Sequence, residues 1–267
     1  MLKAPTQILV ALDGDDAITD VWREACTVGK TFGAELILVN AIPDAGEHAP
    51  AFEAVSAKIR ELFEDLRQKG EAADVRVDAQ FEIRSGAPAE VIVAVAKERA
   101  ADLVMLGATT KGRLDRLLVG STAEKVMRSA EPPVWLVRPG RGHSDVKTIV
   151  CAVDGSEAAS EGLASAIFLA RTFVAKLTLL GVAEDDEAIA RFESGAHEYD
   201  LHGITMETLV LQGDVRQSIL DAVSKTAADL LVLGEAGRTG LARLLKGNTA
   251  EAVVREVAAS LLTVRPA

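Results

Sequence analysis

The sequence predicts an α/β fold built twice: two doubly wound open sheets, each a five-stranded, mostly parallel sheet with helices on both faces. Three observations carry this expectation. Short apolar, β-rich runs alternate with helix-periodic stretches along the 267 residues, which is the pattern of βαβ units. Several of those runs, among them Leu103-Val104-Met105-Leu106 and Leu230-Leu231-Val232-Leu233, are apolar at every position, as suits a parallel strand covered on both faces. Finally, the second half repeats the first in order and spacing.

The repeat can be read residue by residue. Ile8-Leu9-Val10-Ala11-Leu12-Asp13-Gly14 returns as Ile149-Val150-Cys151-Ala152-Val153-Asp154-Gly155, an offset of 154 − 13 = 141. Ala34-Glu35-Leu36-Ile37-Leu38 returns as Ala175-Lys176-Leu177-Thr178-Leu179 at the same offset. Farther on the offset falls to 127, pairing Gly86 with Gly213, Gly107 with Gly234, Gly120 with Gly247 and Pro139 with Pro266. The difference, 141 − 127 = 14, means that the second copy lacks 14 residues between its second and third strands, opposite 42–85 of the first copy.

In the first copy strands are expected near 7–12, 35–41, 75–83, 102–106 and 133–138, with helices near 17–32, 51–69, 87–99 and 118–130. The second of these helices shows its apolar stripe in Phe52, Val55, Ile59, Leu62, Phe63 and Leu66. In the second copy strands are expected near 147–153, 176–182, 204–211, 229–233 and 260–265, and helices near 157–172, 186–199, 215–226 and 247–257. The stretch Gly140-Arg141-Gly142-His143-Ser144-Asp145 is small, polar and preceded by a proline, as a domain boundary should be. The expected domains are therefore 1–140 and 146–267.

Composition narrows the function. A net charge of −11 disfavours binding of nucleic acid by the surface at large. No apolar run reaches the ~18 residues of a membrane span, and the first residues lead into a strand without a signal-peptide pattern, so a cytoplasmic protein is expected. Cys26 and Cys151 read as small apolar residues. His48, His143, His197 and His202 have no partner at metal-ligand spacing, and Trp22 and Trp135 read as packing residues. A phosphate loop of the G-x4-G-K-(S/T) type is missing, because Arg113-Leu114 follow Gly107 and Gly112.

Ligands of doubly wound sheets bind beyond the carboxyl ends of the strands, where the strand order reverses. This singles out the loops after the first and fourth strands. The first holds Asp13-Gly14-Asp15-Asp16, matched by Asp154-Gly155-Ser156-Glu157. An acid there either begins a helix or accepts hydrogen bonds from a ligand such as ribose or adenine. The second holds Gly107-Ala108-Thr109-Thr110-Lys111-Gly112-Arg113 through Gly120-Ser121-Thr122, matched by Gly234-Glu235-Ala236-Gly237-Arg238-Thr239-Gly240 through Gly247-Asn248-Thr249. These glycines either serve turns alone or let main-chain amides approach a phosphate. A following helix N-terminus would help hold an anion, and Arg113, Arg116, Arg238 and Arg243 would add charge.

Taken together, the spacing G-x2-G-x9-G-(S/T) and the V-A-x-D-G-S of the first strand resemble the universal stress protein family. So do Ala123-Glu124-Lys125-Val126-Met127-Arg128 with Val137-Arg138-Pro139, and Ala250-Glu251-Ala252-Val253-Val254-Arg255 with Val264-Arg265-Pro266. The resemblance covers nearly the whole chain, twice. It implies a five-stranded parallel sheet per domain, dimerisation through the last strand and, in many members, ATP binding, with Mg where a metal accompanies the phosphates. Carried over, the nucleotide residues are Asp154, Val182, Gly234, Gly237, Gly247, Asn248 and Thr249 in the second copy, and Asp13, Gly107, Gly120 and Ser121 in the first. Asn40-Ala41 and Gly181-Val182 fill the second-strand end where the family lines its adenine site. Thr110 stands where the second glycine belongs and Asn248 where the family has Ser or Thr, so the second copy is expected to be the better site. The resemblance implies a nucleotide-binding regulatory protein with at most slow ATP hydrolysis, or a nucleotide-free interaction protein of the same fold. The two halves are expected to pair with each other, Val134–Val137 against Leu261–Val264, and a homodimer of the chain is compatible with this.

Overall fold

The computed structural model describes residues 2–13, 18–43, 50–108, 120–140, 145–153, 157–183, 203–234, 253 and 256–265. They fall into two compact units, one running from 4 to 140, the other from 145 onward and including Leu2 and Lys3.

The first unit contains β1 (Gln7–Ala11), α1 (Ile18–Phe32), β2 (Glu35–Ile42), α2 (Pro50–Ala72), β3 (Arg76–Val77), β4 (Glu82–Ser85), α3 (Pro88–Glu98), β5 (Leu103–Gly107), α4 (Ser121–Ser129) and β6 (Val134–Val137). All its pairings are parallel. β1 lies between β2 and β5, β6 follows β5, and β3 and β4 flank β2. Every residue from Leu103 to Leu106 is buried, so helices cover both faces of the central strand, as its unbroken apolar run requires. Val21, Trp22, Ala25 and Val28 turn one face of α1 into this core. Helix α2 packs on β2, β3 and β4, and α3 packs beside α4.

The second unit contains β7 (Thr148–Val153), α5 (Glu157–Phe173), β8 (Lys176–Ala183), β9 (Met206–Gln212), α6 (Val215–Thr226), β10 (Leu230–Gly234) and β11 (Ser260–Val264). Its order, β9-β8-β7-β10-β11, is again wholly parallel. The expected helix at 186–199 lies outside the described residues. Of that at 247–257, the described part shows Val257 N donating to Val253 O at 2.8 Å. Ala130 N makes the same bond to Val126 O at 2.8 Å in the first unit, in step with the offset of 127.

The third strand of the first half departs from expectation. The expected single strand at 75–83 is two short pieces. Asp78 Oδ1 accepts from Gln80 N at 2.8 Å, an Asx turn that competes with the ladder. The register moves accordingly, with Leu36 opposite Val77 but Val39 opposite Glu82. In the second half β9 pairs with β8 without a break from Met206 to Gln212.

An aspartate before the fourth strand ties down the amino end of the first strand in both units. Asp102 Oδ2 accepts from Thr6 N at 2.8 Å, Thr6 Oγ1 at 2.7 Å and Gln7 N at 3.0 Å. Asp229 Oδ2 accepts from Lys147 N at 2.8 Å and Thr148 N at 2.9 Å. Both cysteines behave as apolar residues, since burial pushes their thiols up to about 12. Both tryptophans pack: Trp22 is buried, and Trp135 Nε1 donates to Glu24 Oε1 at 2.6 Å within the first core. The four histidines lie outside the described residues.

Candidate functional site

In each unit the strand order turns back on itself beside the first strand. β1 has β2 on one side and β5 on the other, and β7 has β8 and β10. The connections out of β1 and β5 therefore leave in opposite directions and open a crevice at the carboxyl edge.

In the first unit the register places the crevice residues. Ala11 is opposite both Val39 and Leu106, so Asp13, two residues on, stands level with Ala41 and Ala108. Leu12 N donates to Val39 O at 3.0 Å, and Ala108 N to Val137 O at 2.9 Å. These bonds carry the ladder past the last strand residues and fix the roots of both loops. Asp13 is exposed, Gly107 and Gly120 are half-buried, and Ser121 is exposed.

Asn40 adds a bond that periodicity alone did not single out. It is a buried polar residue in an otherwise apolar strand, and its Nδ2 donates to Leu12 O at 2.5 Å. The side chain thus pins the main chain just before Asp13. The signal was visible as the one amide side chain in Glu35-Leu36-Ile37-Leu38-Val39-Asn40-Ala41-Ile42.

Two helices begin at this edge. Gly120 is the N-cap of α4 in extended backbone (φ −71°, ψ 151°), with no side chain to bond the first amides. Ser121, expected at the helix start, is its first residue. Ala87 caps α3 equally barely, and Pro88 follows it. The α6 start differs, for there Asp214 accepts from Gln217 N at 2.9 Å. Both third loops turn through a glycine of positive φ, Gly86 at 137° and Gly213 at 114°. Beside the first-unit edge lies Arg138, directly after β6 and 2% exposed. Burial lowers its guanidinium to about 10.

In the second unit Leu233 pairs with Ala152, and Gly234 with Val264. Gly234 is buried, and Val182 is half-buried opposite Leu211 of β9. Gly181 occupies the place of Asn40, so no amide side chain can pin the β7 end from there. Asp154, Gly237, Gly247, Asn248 and Thr249 lie outside the described residues, as do Thr110, Arg113, Arg116, Arg238 and Arg243.

The chemistry of this edge is that of binding: main-chain amides at loop roots and helix starts, an exposed carboxylate, and apolar strand ends. Among the described residues no group of three or more His, Cys, Asp and Glu could hold a metal ion. Nor is any described helix long and apolar enough to cross a membrane.

Residues 5–138 and 190–265 match the universal stress protein family. A universal stress protein of Methanocaldococcus jannaschii is 32% identical over 138 residues, covering 49% of this chain and 81% of its own. Another, of Thermus aquaticus, is 33% identical over 135 residues, covering 49% of this chain and 97% of its own. Each therefore matches about one half of the chain. The crystal structure of a universal stress protein from Archaeoglobus fulgidus has the same fold over 99% of this chain and 97% of its own, with a TM-score of 0.82 at 20% identity.

Proposed function

The chain belongs to the universal stress protein family, and on that footing we propose that it is a tandem member that binds adenine nucleotide, ATP first, and acts as a regulatory protein in stress response. One observation carries the reading. The crevice where the strand order reverses is built twice, at β1/β5 and at β7/β10, and each time the fourth strand ends in glycine.

The residues fit such a ligand. Val182 in the second half, and Asn40-Ala41 in the first, stand at the second-strand end and would border the adenine. The carboxylate of Asp154 or Asp13 would accept from ribose hydroxyls. The amides following Gly234 or Gly107, with the helix start at Ser121 or the one expected at Asn248-Thr249, would hold the phosphates, Gly237 and Gly247 letting the backbone come close. The uncapped start of α4 supports this use. ATP would supply the phosphate charge, and Mg would arrive on the phosphates, since no described acidic cluster offers it a protein cage. Hydrolysis would be slow at most, because no general base stands in the described crevice.

We take 1–140 and 146–267 as the two domains and propose that they pair through Val134–Val137 and Leu261–Val264. Light scattering would show whether a homodimer forms as well. A nucleotide-free interaction protein is the second reading, favoured by Thr110 at the second-glycine place of the first loop and Asn248 in the second.

Calorimetric titration with ATP separates the two. Binding that Gly237→Val abolishes supports the nucleotide reading. Failure of the wild-type chain to bind at millimolar ATP overturns it.

A further inference from the structure

Helix α5 lies close against the root of the second-half glycine loop. A Cβ added at Gly162 would meet Gly234 N at 2.9 Å, Gly234 Cα at 3.2 Å and Leu233 C at 3.5 Å. All three are main-chain atoms. The helix therefore rests directly on the peptide that ends β10, and only glycine permits so close an approach.

The position runs against local preference. A glycine inside a helix costs about 1 kcal/mol relative to alanine, and α5 is otherwise rich in alanine, with Ala159, Ala166 and Ala170 buried along it. In the first unit the same place, by the offset of 141, holds Val21, which is buried. A side chain is thus accommodated above β5 but not above β10.

Any side chain at 162 would displace Gly234 before it displaced the helix. Gly162 sits mid-helix, held by bonds on both sides. Gly234 lies at the described end of its strand, where it pairs with Val264, and the described pairing of β10 with β7 runs to Leu233 and Ala152. The compliant element is the root of the loop.

We infer that Gly162 is a positioning residue for the second-half site. By seating α5 on the Gly234 peptide it fixes the direction in which the glycine loop leaves β10, and so sets affinity for the phosphate part of the ligand, not for the adenosine part. The adenosine part is assigned to the ends of β7 and β8, which this contact does not touch. The inference rests on the nucleotide reading above.

The test is calorimetric titration of the full chain with ATP and, separately, with adenosine. Gly162→Ala should weaken ATP about tenfold and leave adenosine within about twofold. Ala164→Gly, at a half-buried position of the same helix, lowers helix stability and should leave both affinities unchanged. Equal weakening of ATP and adenosine by Gly162→Ala, or no change in either, overturns the inference. A wild-type chain that binds neither overturns the nucleotide reading itself. If Gly162→Ala does not fold, NMR of the wild-type chain decides. The Gly162 and Gly234 amide signals should move together on saturation with ATP and stay in place with adenosine. A Gly162 signal that ATP leaves unmoved overturns the proposal.

Discussion

The two halves share a plan and differ in how they hold it. Where α1 carries Glu24 against Trp135, the second half has Ser165 and Leu262 at the matching places. Where the first half surrounds β4 with Asp78, Glu82, Arg84, Glu98 and Arg99, the second has Thr205, Leu209, Leu211, Lys225 and Thr226. At these places the second copy does not repeat the residue pairs of the first. A duplicated topology therefore does not require duplicated interactions. It requires that each copy satisfy the same backbone by some means.

The Glu24–Trp135 pair offers the largest break in this comparison. Trp135 is fully buried and Glu24 is 4% exposed. Trp135→Phe keeps an aromatic ring but removes the donor to the carboxylate and empties part of the indole's volume, and is expected to destabilise the first half by about 3 kcal/mol. Glu24→Gln in the same chain should recover part of the loss, because the buried charge is then gone. Urea unfolding of the two variants measures both.

The shared clamp is the next test. Asp102→Ala and Asp229→Ala should each cost about 1 kcal/mol. Acid should separate the halves further. Burial alone would raise the Asp102 carboxyl, but the Thr6 amide and hydroxyl and the Gln7 amide bring it below the ordinary value. Glu82 is lowered likewise: burial opposes this, and Arg99 and Arg84 outweigh it. A carboxyl lowered in the folded state stabilises above its unfolded value of about 4 and loses that contribution as pH falls further. Among the described residues of the second half, Glu207 is lowered, by Lys176 first and then Thr178. Unfolding followed by hydrogen exchange between pH 7 and pH 3 should show the first half opening before the second.

The ion cluster is smaller in effect. Arg99 bridges Asp78 and Glu82, with 2.8 Å to the latter, and Arg84 joins Glu82 at 2.8 Å to Glu98 at 2.7 Å. These groups are partly exposed, so Arg99→Ala should cost about 1 kcal/mol at low salt and less at high salt. Thermal melting in the two conditions reads the difference.

The smallest effect is at the ends of the first helices. After α1 the chain turns through Gly33 at φ 63°, and after α5 through Val174 at φ 53° with 88% of its side chain exposed. A β-branched residue is poorly suited to that region. Val174→Gly should raise the stability of the second half by roughly 0.5–1 kcal/mol, and Gly33→Val should lower that of the first by a similar amount. A melting series with both variants checks the sign.

Much of this architecture was legible beforehand. The apolar runs and paired glycines located the strands in both copies, and the two offsets recur in the structure: β2 and β8 begin at 35 and 176, β5 and β10 at 103 and 230, α3 and α6 at 88 and 215. What escaped notice depended on partners distant in sequence. Asp102 and Asp229 opened the expected strands at 102–106 and 229–233, and nothing in that reading showed which amides they bind. The bond from Trp135 to Glu24 spans 111 positions. The break at Asp78 was hidden because an Asx turn leaves little trace in hydrophobic periodicity. Helix ends at Ala100 and Ala227, with φ 47° and 48°, carry no glycine to mark them. At the site, the reversal of strand order and the aspartate–glycine pairing could be read directly, whereas the contact of Gly162 with Gly234 could not, since it depends on how closely a helix settles on a strand.

Leu2 belongs to the second unit. Its amide donates to Ser165 Oγ at 2.8 Å, and its side chain is 2% exposed. On the ribosome this residue is made well before its partner, which lies 163 positions later. At a synthesis rate of about 5–20 residues per second the wait is roughly ten to thirty seconds. β1, which begins only five residues after it, can join its own sheet meanwhile. The order of birth along the chain is thus not the order of completion: Leu2 precedes the whole first unit yet is seated only after it, and the second unit closes over a piece of chain that has already left the tunnel.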